Sequence, residues 1–188
     1  PENTWKQRIQ KFGHHSSGPY REGKRSIYEG GHRVPFFLRW PARVRPGSRW
    51  AEPICQTDLL ATFAAILNKP LPARSGEDSI SFHRAWSGPK ANHPSRPPVI
   101  HHAANGRFAI RAGKWKLVME GTKKAENREL YDLHLDPGEK NNVLANHGEV
   151  EKALLARLSG IVTSGATRDE VPSKNDPPLW ADLVWLPR

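Results

Sequence analysis

Prolines and glycines occur along the whole chain and limit what it can fold into. The 188 residues include 17 prolines and 15 glycines. Proline ends helices and removes a backbone donor from sheet ladders, and glycine favours turns. The sequence therefore predicts short helices and strands joined by turns, and it excludes a long-helix architecture.

The length and the apolar content are those of one compact domain or of part of a larger protein, since domains run to roughly 100–200 residues. Hydrophobic residues make up 37% of the chain, with seven Trp and six Phe, so disorder throughout is not expected. No apolar run approaches the roughly 20 residues that cross a bilayer. The first residues, 1–6, contain neither an initiating Met nor a signal peptide, so we expect an excerpt of a longer polypeptide.

The charge indicates which partners the chain could bind, and the cysteine content excludes two kinds of structural site. The formal net charge is +10, which favours anionic partners such as sulfate or phosphate esters, acidic glycans and nucleic acid. The basic residues are scattered singly, as on an ordinary basic surface, and we do not expect a dedicated nucleic-acid reader. The single cysteine, Cys55, excludes an internal disulfide and a multi-thiolate zinc site.

Periodic apolar residues between the turns predict a small number of elements. Residues 34–40 are apolar almost without interruption, which is typical of a strand covered on both faces. Asp58 begins a helix with one apolar face, which Pro70 stops. The predicted elements, after a loop over 1–23, are a strand over 34–40, a helix over 58–67, a hairpin of 108–111 and 114–118, a strand over 130–133 and a helix over 149–162. The apolar faces expected in the core are Leu59, Phe63, Ile66 and Leu67 on the first helix, and Val150, Leu154, Leu158 and Ile161 on the second.

This order of elements predicts an α+β arrangement, or the last part of a larger α/β protein, ending in a small antiparallel sheet packed with a C-terminal helix. We expect residues 1–70 to be the last part of a large α/β domain and 71–165 to be the small sheet subdomain with its helix. Residues 166–188 form a polar, Trp-containing tail, which either docks or is disordered.

The glycine-punctuated segment 18–35 is the most informative for function. It presents Lys24 on a turn, and the pair Gly30–Gly31 then leads into the predicted strand. Lysine is a compact charge with three donors, which suits a tetrahedral anion, and the mouth of an α/β sheet is where such folds bind ligands. A solvated surface lysine would give the same local pattern, so this segment alone leaves both interpretations open.

Several further segments follow in an order that is found in one enzyme family. They are Gly23–Lys24, Tyr28–Pro35, Arg39–Pro41, Cys55–Thr62, Gly76–Ser79, Ala109–Leu117 and Glu129–Asn142. Together they resemble the C-terminal part of the formylglycine-dependent sulfatases of the alkaline phosphatase-like superfamily, in particular the bacterial arylsulfatase A-like enzymes. Several motifs in the right order are more specific than any one of them.

The resemblance implies hydrolysis of a sulfate ester, with Lys24 contacting the sulfate group and a calcium ion (Ca2+) held by oxygen ligands. It also implies that the nucleophile and the metal ligands are missing here. The modifiable Cys-x-Pro-x-Arg motif is absent, and 92–96 copies its outline only by coincidence. The metal ligands are expected just upstream of Pro1, so no metal site is expected in this chain and the isolated chain is expected to be inactive.

Other residues receive supporting roles or are candidates for substrate contact. Glu29, Gly30, Gly31 and Arg33 are interpreted as structural support that aims Lys24. The candidate substrate contacts, each weighed against an ordinary packed or solvated histidine, are His14, His15, His101 and His102. Cys55 is expected to be a small buried residue.

Two alternatives to a sulfatase remain open at this point. One is a phosphate or phosphonate monoester hydrolase of the same superfamily, because both anions are tetrahedral. The other is a non-catalytic basic module that binds acidic glycans, whose affinity would fall steeply with salt. A sulfated small molecule or glycan is the expected partner, and family habit suggests a periplasmic or extracellular location.

Overall fold

The computed structural model describes residues 5–72, 74–86, 96–119, 127–168, 183 and 185–186. They form two compact units. The first unit draws on residues 1–35, 100–159 and 179–188, and the second on residues 36–99 and 160–178.

Four helices and four strands are present in this part of the chain, together with two short 3-10 turns. The helices are α1 (Trp5–Phe12), α2 (Glu29–His32), α3 (Asp58–Ile66) and α4 (Gly148–Ser164). The strands are β1 (Val99–His102), β2 (Phe108–Ala112), β3 (Trp115–Met119) and β4 (Arg128–Asp132), and the 3-10 turns are His83–Trp86 and Leu144–Asn146.

The strands form one antiparallel sheet in the order β1-β2-β3-β4, which confirms the predicted hairpin, third strand and fold class. Lys116 on β3 lies opposite Tyr131 on β4, and residues that face each other share one side of a sheet. That side faces Ile27 and Tyr28, which belong to the same buried cluster as Tyr131. On the other side, Arg128 pairs with Glu151 of α4 at 2.6 Å.

Helix α4 buries the face that its apolar spacing predicts. Leu154, Leu158 and Ile161 are buried and Val150 is half-buried. Trp185 is also buried, and its ring lies 5.6 Å from that of Phe108 in the first unit. This part of the tail therefore docks, whereas 179–182 and 184 lie outside the described residues.

The second unit is organised around a buried carboxylate. Asp58 is fully buried, and Arg96 approaches it through two nitrogens, with Nη2 2.8 Å from both carboxylate oxygens. The same carboxylate accepts hydrogen bonds from the backbone N–H groups of Cys55 and Ile80. Asp58 is the first residue of α3, so its carboxylate holds the helix to the segment around Arg96. The side-chain cap that the sequence predicts at Thr57 or Asp58 is not formed. Residues 92–95 of the motif-like stretch lie outside the described residues.

Three sequence predictions about local structure are wrong. Residues 5–12 form a helix and not a loop, because good helix formers such as Lys6, Gln7 and Lys11 fill this stretch. Helix α3 leaves three of the four predicted core residues exposed, Phe63, Ile66 and Leu67, and buries instead the smaller Ala61 and Thr62. Cys55 is half-buried and not fully buried.

The predicted buried strand over 34–40 is not present either. These residues run without helix, strand, turn or bend, and Phe37 is 92% exposed. A strand needs a neighbour for its backbone groups, and no residue in the described ranges pairs with this segment. The segment has the apolar composition of a buried strand, but within the described ranges it has no neighbouring strand to pair with.

Candidate functional site

Lys24 lies on a turn, and residues on both sides of it have a left-handed backbone conformation. Glu22 and Arg25 have φ values of 57° and 80°, a left-handed region that costs a non-glycine residue roughly 1–2 kcal/mol. The turn is closed by a hydrogen bond from the Ser26 N–H to the Gly23 carbonyl at 3.0 Å. Such conformations persist only where surrounding structure enforces them, and they are common at functional sites.

The Lys24 side chain itself is exposed, and no hydrogen bond or ion pair joins it to any residue within the described ranges. An ammonium group that is held on an enforced turn and left without a carboxylate is available to an external anion. The contact of Lys24 with sulfate stays a prediction.

The two glycines that follow allow the chain to double back closely. A Cβ atom at Gly30 would lie less than 3.0 Å from the carbonyl oxygens of Arg21 and Glu22, and one at Gly31 equally close to that of Ser26. The Gly30 N–H donates to the Arg21 carbonyl at 2.9 Å. Only glycine fits this approach, so these positions fix the base of the Lys24 turn.

The residues between the turn and the glycines anchor it in the core of the first unit. Ile27 and Tyr28 are 2% and 3% exposed. The Tyr28 hydroxyl donates to the Glu129 carboxylate at 2.7 Å, and the Tyr131 hydroxyl donates to the same oxygen at 3.0 Å. Burial and this carboxylate raise the pKa of both tyrosines, so they remain neutral donors.

Arg21 attaches the start of the turn to the sheet. It donates to the Tyr131 hydroxyl at 2.9 Å and to the Glu139 carbonyl at 3.1 Å. Its guanidinium carbon lies 3.5 Å from the centre of the Tyr28 ring, which is a favourable cation–π arrangement. The Lys24 turn is thus held at its beginning as well as at its end.

A buried ionic cluster lies beneath the turn, around Glu29 at the start of α2. The Glu29 carboxylate contacts Arg111 at 3.0 Å and Lys116 at 3.1 Å, and it lies 3.7 Å from Arg33. Lys116 also lies 2.8 Å from Glu139, whose carboxylate accepts from the Glu29 N–H at 2.6 Å. Burial raises the pKa of the Glu139 carboxyl, and the Lys116 charge opposes that rise.

Sequence reasoning selected Glu29 and Arg33 as support for the turn but missed the other three members of this cluster, which are Arg111, Lys116 and Glu139. One signal could have found Lys116, because it is a charged residue in an otherwise apolar strand, and such a residue is rarely buried without a partner. We find no comparable sequence signal for Arg111 or Glu139.

The four histidines predicted to contact substrate occupy different settings, and their proposed role stays a prediction. His14 and His15 are exposed on the loop before Lys24. The ring of His101 lies 4.4 Å from that of His32 at a tilt of 32°, and the ring of His102 stacks at 4.4 Å on that of Phe108. Burial and the Lys116 charge lower the pKa of His32.

Among the residues that the structure describes, no three His, Cys, Asp or Glu side chains are grouped so as to hold a metal ion, so these residues do not fit the calcium ion that the resemblance implies. Within the same ranges, none of the helices has the length and apolarity needed to span a bilayer.

Sequence comparison relates most of this chain to known enzymes. Residues 20–163 match the family described as "N-sulphoglucosamine sulphohydrolase, C-terminal". The N-acetylgalactosamine-6-O-sulfatase of Bacteroides thetaiotaomicron is 37% identical over 163 residues, which is 80% of this chain and 31% of that protein. Human arylsulfatase A is 32% identical over an alignment of 198 positions that covers 87% of this chain and 38% of that enzyme. The chain thus spans about a third of the length of these curated relatives.

Structural comparison also relates most of this chain to solved structures. A solved structure described under metabolism of multiple glycosaminoglycans by Bacteroides thetaiotaomicron is 34% identical, covers 82% of this chain and 34% of that chain, and has a TM-score of 0.70. The structure of Ps i-CgsB in complex with k-i-k-neocarrahexaose is 26% identical, covers 84% and 34%, and has a TM-score of 0.64. With the ordered motifs and the sheet that carries them, these matches show that the chain belongs to the sulfatase family, where it corresponds to the C-terminal part.

Proposed function

We propose that this chain is the part of a sulfate ester hydrolase that binds the sulfate group, with Lys24 as the contacting residue. The observation that carries the proposal is the contrast between Lys24 and its support. The turn is pinned by the buried residues Ile27, Tyr28 and Glu29, while the ammonium group at its tip is exposed and unpaired within the described residues. A charge that is preorganised in this way binds an anion without a further free-energy cost for reorganising the site during the reaction.

The chemical task of Lys24 is to stabilise negative charge on the sulfate oxygens as the S–O bond to the alcohol breaks. Removing one preorganised donor of this type costs about 10²–10³ in rate. Glu29, Gly30, Gly31 and Arg33 support the turn from below and act only through its geometry. Residues 1–70 are proposed to be the last part of the catalytic domain.

We propose a sulfated sugar as the substrate class. One relative is named an N-acetylgalactosamine-6-O-sulfatase, and one solved relative was crystallised with k-i-k-neocarrahexaose. The net charge of +10 on this chain would attract such an anionic substrate. His14, His15, His101 and His102 are the proposed contacts to the organic part, contributed in part by the small sheet subdomain.

The nucleophile and the cation are proposed to come from polypeptide outside these 188 residues. The chain covers only 31% and 38% of the two relatives above. The isolated chain is therefore expected to bind substrate weakly and to hydrolyse nothing. A periplasmic or extracellular location is part of the same proposal.

The test compares two esters on the complete polypeptide that contains this chain. We expect 4-methylumbelliferyl sulfate to be hydrolysed with a higher kcat/KM than 4-methylumbelliferyl phosphate, and neither to be hydrolysed by residues 1–188 alone. Preference for the phosphate would favour the phosphomonoesterase alternative and contradict the proposal. Salt-sensitive retention on heparin without hydrolysis of either ester would favour the non-catalytic glycan-binding module.

A further inference from the structure

A cavity of about 440 Å³ lies in the second unit, and its walls combine indole rings with guanidinium groups. Its volume is within the usual range of small-molecule sites, about 300–1,000 Å³. The residues that give it this character are Trp40, Trp50, Trp86, Arg39, Arg45 and Arg49. Of the residues that the structure describes, no Asp or Glu lines the cavity, so it is both aromatic and cationic.

The three arginines of this cavity carry uncompensated charge. Their side chains are exposed, and no hydrogen bond or ion pair joins their guanidinium groups to another residue in the described part of the chain. Arg96 in the same unit, by contrast, lies 2.8 Å from the Asp58 carboxylate. The sequence from residue 30 to 51 contains no acidic residue that could neutralise them locally. Unpaired guanidinium groups around one cavity favour an anion with several acceptor oxygens, which arginine binds through paired hydrogen bonds.

A closed turn fixes the backbone between two of these arginines. The Ser48 hydroxyl and N–H both donate to the Arg45 carbonyl, at 2.7 and 3.2 Å. Gly47 has φ 72°, a conformation that glycine adopts at little cost. Arg45 and Arg49 therefore lie on either side of a preformed turn, and a ligand that binds them does not have to order this part of the backbone.

Aromatic rings that contact one another form the apolar wall of the cavity. The Trp86 ring lies 5.9 Å from that of Trp40 and 6.1 Å from that of Phe82. Trp50, also in the wall, is 39% exposed, so its ring is accessible to a ligand. The face of an aromatic ring carries negative charge, and the polarised C–H groups of a sugar ring therefore pack favourably against it.

We propose that this cavity binds a sulfated sugar unit of a glycan, with Arg45 and Arg49 holding the sulfate group and Trp50 and Trp86 packing on the sugar ring. Both halves of the cavity select this class of ligand. A free inorganic anion would leave the indoles without a contact, and an uncharged sugar would leave the guanidinium groups unpaired. Such binding requires neither Lys24 nor hydrolysis.

Single-stranded nucleic acid is the rival ligand, because it also combines anionic oxygens with flat rings that stack on aromatic side chains. The two ligands differ in what carries the charge, a sulfate ester on the sugar or a phosphodiester in the backbone. The test therefore contains both.

The first test is isothermal titration calorimetry on the complete polypeptide carrying Lys24→Ala, so that binding is measured with hydrolysis slowed. The ligands are a chondroitin 6-sulfate hexasaccharide and the same hexasaccharide without sulfate. We expect a Kd below about 1 mM for the sulfated ligand and an affinity at least about tenfold lower for the unsulfated one. No measurable binding, or equal affinity for both, would overturn the proposal. Sulfate released during the titration would contradict the role of Lys24 and not the role of the cavity.

A pair of double variants in the same background assigns the binding to the cavity. Arg45→Ala/Arg49→Ala should weaken binding of the sulfated hexasaccharide at least about tenfold, as expected for loss of hydrogen bonds to a charged group. Lys69→Ala/Arg157→Ala is the matched control, because it removes the same charge from exposed positions outside the cavity. The control should stay within about twofold. Equal weakening by both would show attraction by net charge alone and overturn the proposal.

The aromatic wall and the rival ligand are tested separately. Trp50→Ala should weaken binding of the sulfated hexasaccharide about threefold or more, with Tm unchanged within about 2 °C because the ring is partly exposed. An unchanged affinity would overturn the proposed packing on the sugar ring. An oligothymidylate hexanucleotide that binds as tightly as the sulfated hexasaccharide, with the same loss in Arg45→Ala/Arg49→Ala, would assign the cavity to nucleic acid and overturn the proposal.

Discussion

The ammonium nitrogen of Lys116 lies 2.8 Å from a carboxylate oxygen of Glu139, and neither side chain is exposed to solvent. The same nitrogen lies 3.1 Å from the carboxylate of Glu29. Together the two contacts join β3, the turn after β4 and helix α2, which follows the Lys24 turn. Because buried charges are costly unless each has a partner, the three side chains hold these segments together as one set.

Replacing Lys116 with Met should therefore destabilise the chain strongly. Met keeps the volume of the side chain but leaves the Glu139 carboxylate buried without its cation. We expect a loss of about 3–5 kcal/mol in the free energy of unfolding, as is typical when one partner of a buried pair is removed. Urea denaturation followed by tryptophan fluorescence measures it.

The matched control is Lys152→Met on α4. Lys152 also lies 2.9 Å from a glutamate, Glu149, but both side chains are highly exposed. An exposed pair of this kind contributes at most about 1 kcal/mol, so the control should be nearly neutral. Similar losses for both variants would contradict the view that burial makes the Lys116 contact important.

Adding a methyl group at Gly31 should disturb the base of the Lys24 turn. A Cβ there would press against the Ser26 carbonyl, and backbone must move to relieve it. We expect Gly31→Ala to cost about 1–3 kcal/mol, the usual range for overpacking. Gly160→Ala is the control, because nothing lies within 4 Å of the added atom on α4 and alanine favours helix. Thermal unfolding of the two variants should therefore move Tm in opposite directions, and a stabilising Gly31→Ala would be inconsistent with the close approach.

Much of the sheet unit is predictable from the sequence because its elements are local. The hairpin at Gly113, the strand that ends at Asp132 and the helix α4 each carry their own turn, cap or apolar face. The segment over 34–40 shows the limit. Its composition predicts a buried strand, but a strand is formed by pairing, and no neighbour for it lies in the described ranges.

The site is predictable to the same extent and for the same reason. Lys24 and the two glycines form a local motif, so sequence reasoning could select them. The support from Arg111, Lys116 and Glu139 joins residues about 80 to 110 positions away from Glu29, and no local pattern reveals a contact at that separation. The sequence does show that Lys116 is a charged residue in the otherwise apolar strand β3. It does not show which residues pair with it.

Acidification should weaken the first unit through His32. Burial and the Lys116 charge lower its folded-state pKa, and the His101 ring and the Glu29 carboxylate also lie close to it. The unfolded chain then binds more protons than the folded one below about pH 6.5, so the free energy of unfolding falls as the pH falls through that range. Denaturation curves between pH 7.5 and 5 should show a shallower dependence for His32→Gln. An unchanged slope would show that His32 does not contribute.

Alkaline conditions should weaken the same unit through Tyr28 and Tyr131. Burial and the Glu129 carboxylate raise the pKa of both phenols above the usual value of 10. The folded chain therefore keeps protons that the unfolded chain loses, and stability falls as the pH rises above 10. Tyr131→Phe should lose about 1 kcal/mol at neutral pH and show a smaller decline from pH 9 to 11. A decline as steep as that of the unmodified chain would contradict this assignment.

The central claim is that the ammonium group of Lys24 contacts the sulfate. The most direct measurement is kcat for 4-methylumbelliferyl sulfate with the complete polypeptide carrying Lys24→Ala, beside Lys69→Ala as an exposed lysine outside the turn. We predict that kcat falls about 10²–10³-fold for Lys24→Ala, with unchanged Tm, and stays within about twofold for Lys69→Ala. An unchanged kcat for a folded Lys24→Ala enzyme would contradict the claim.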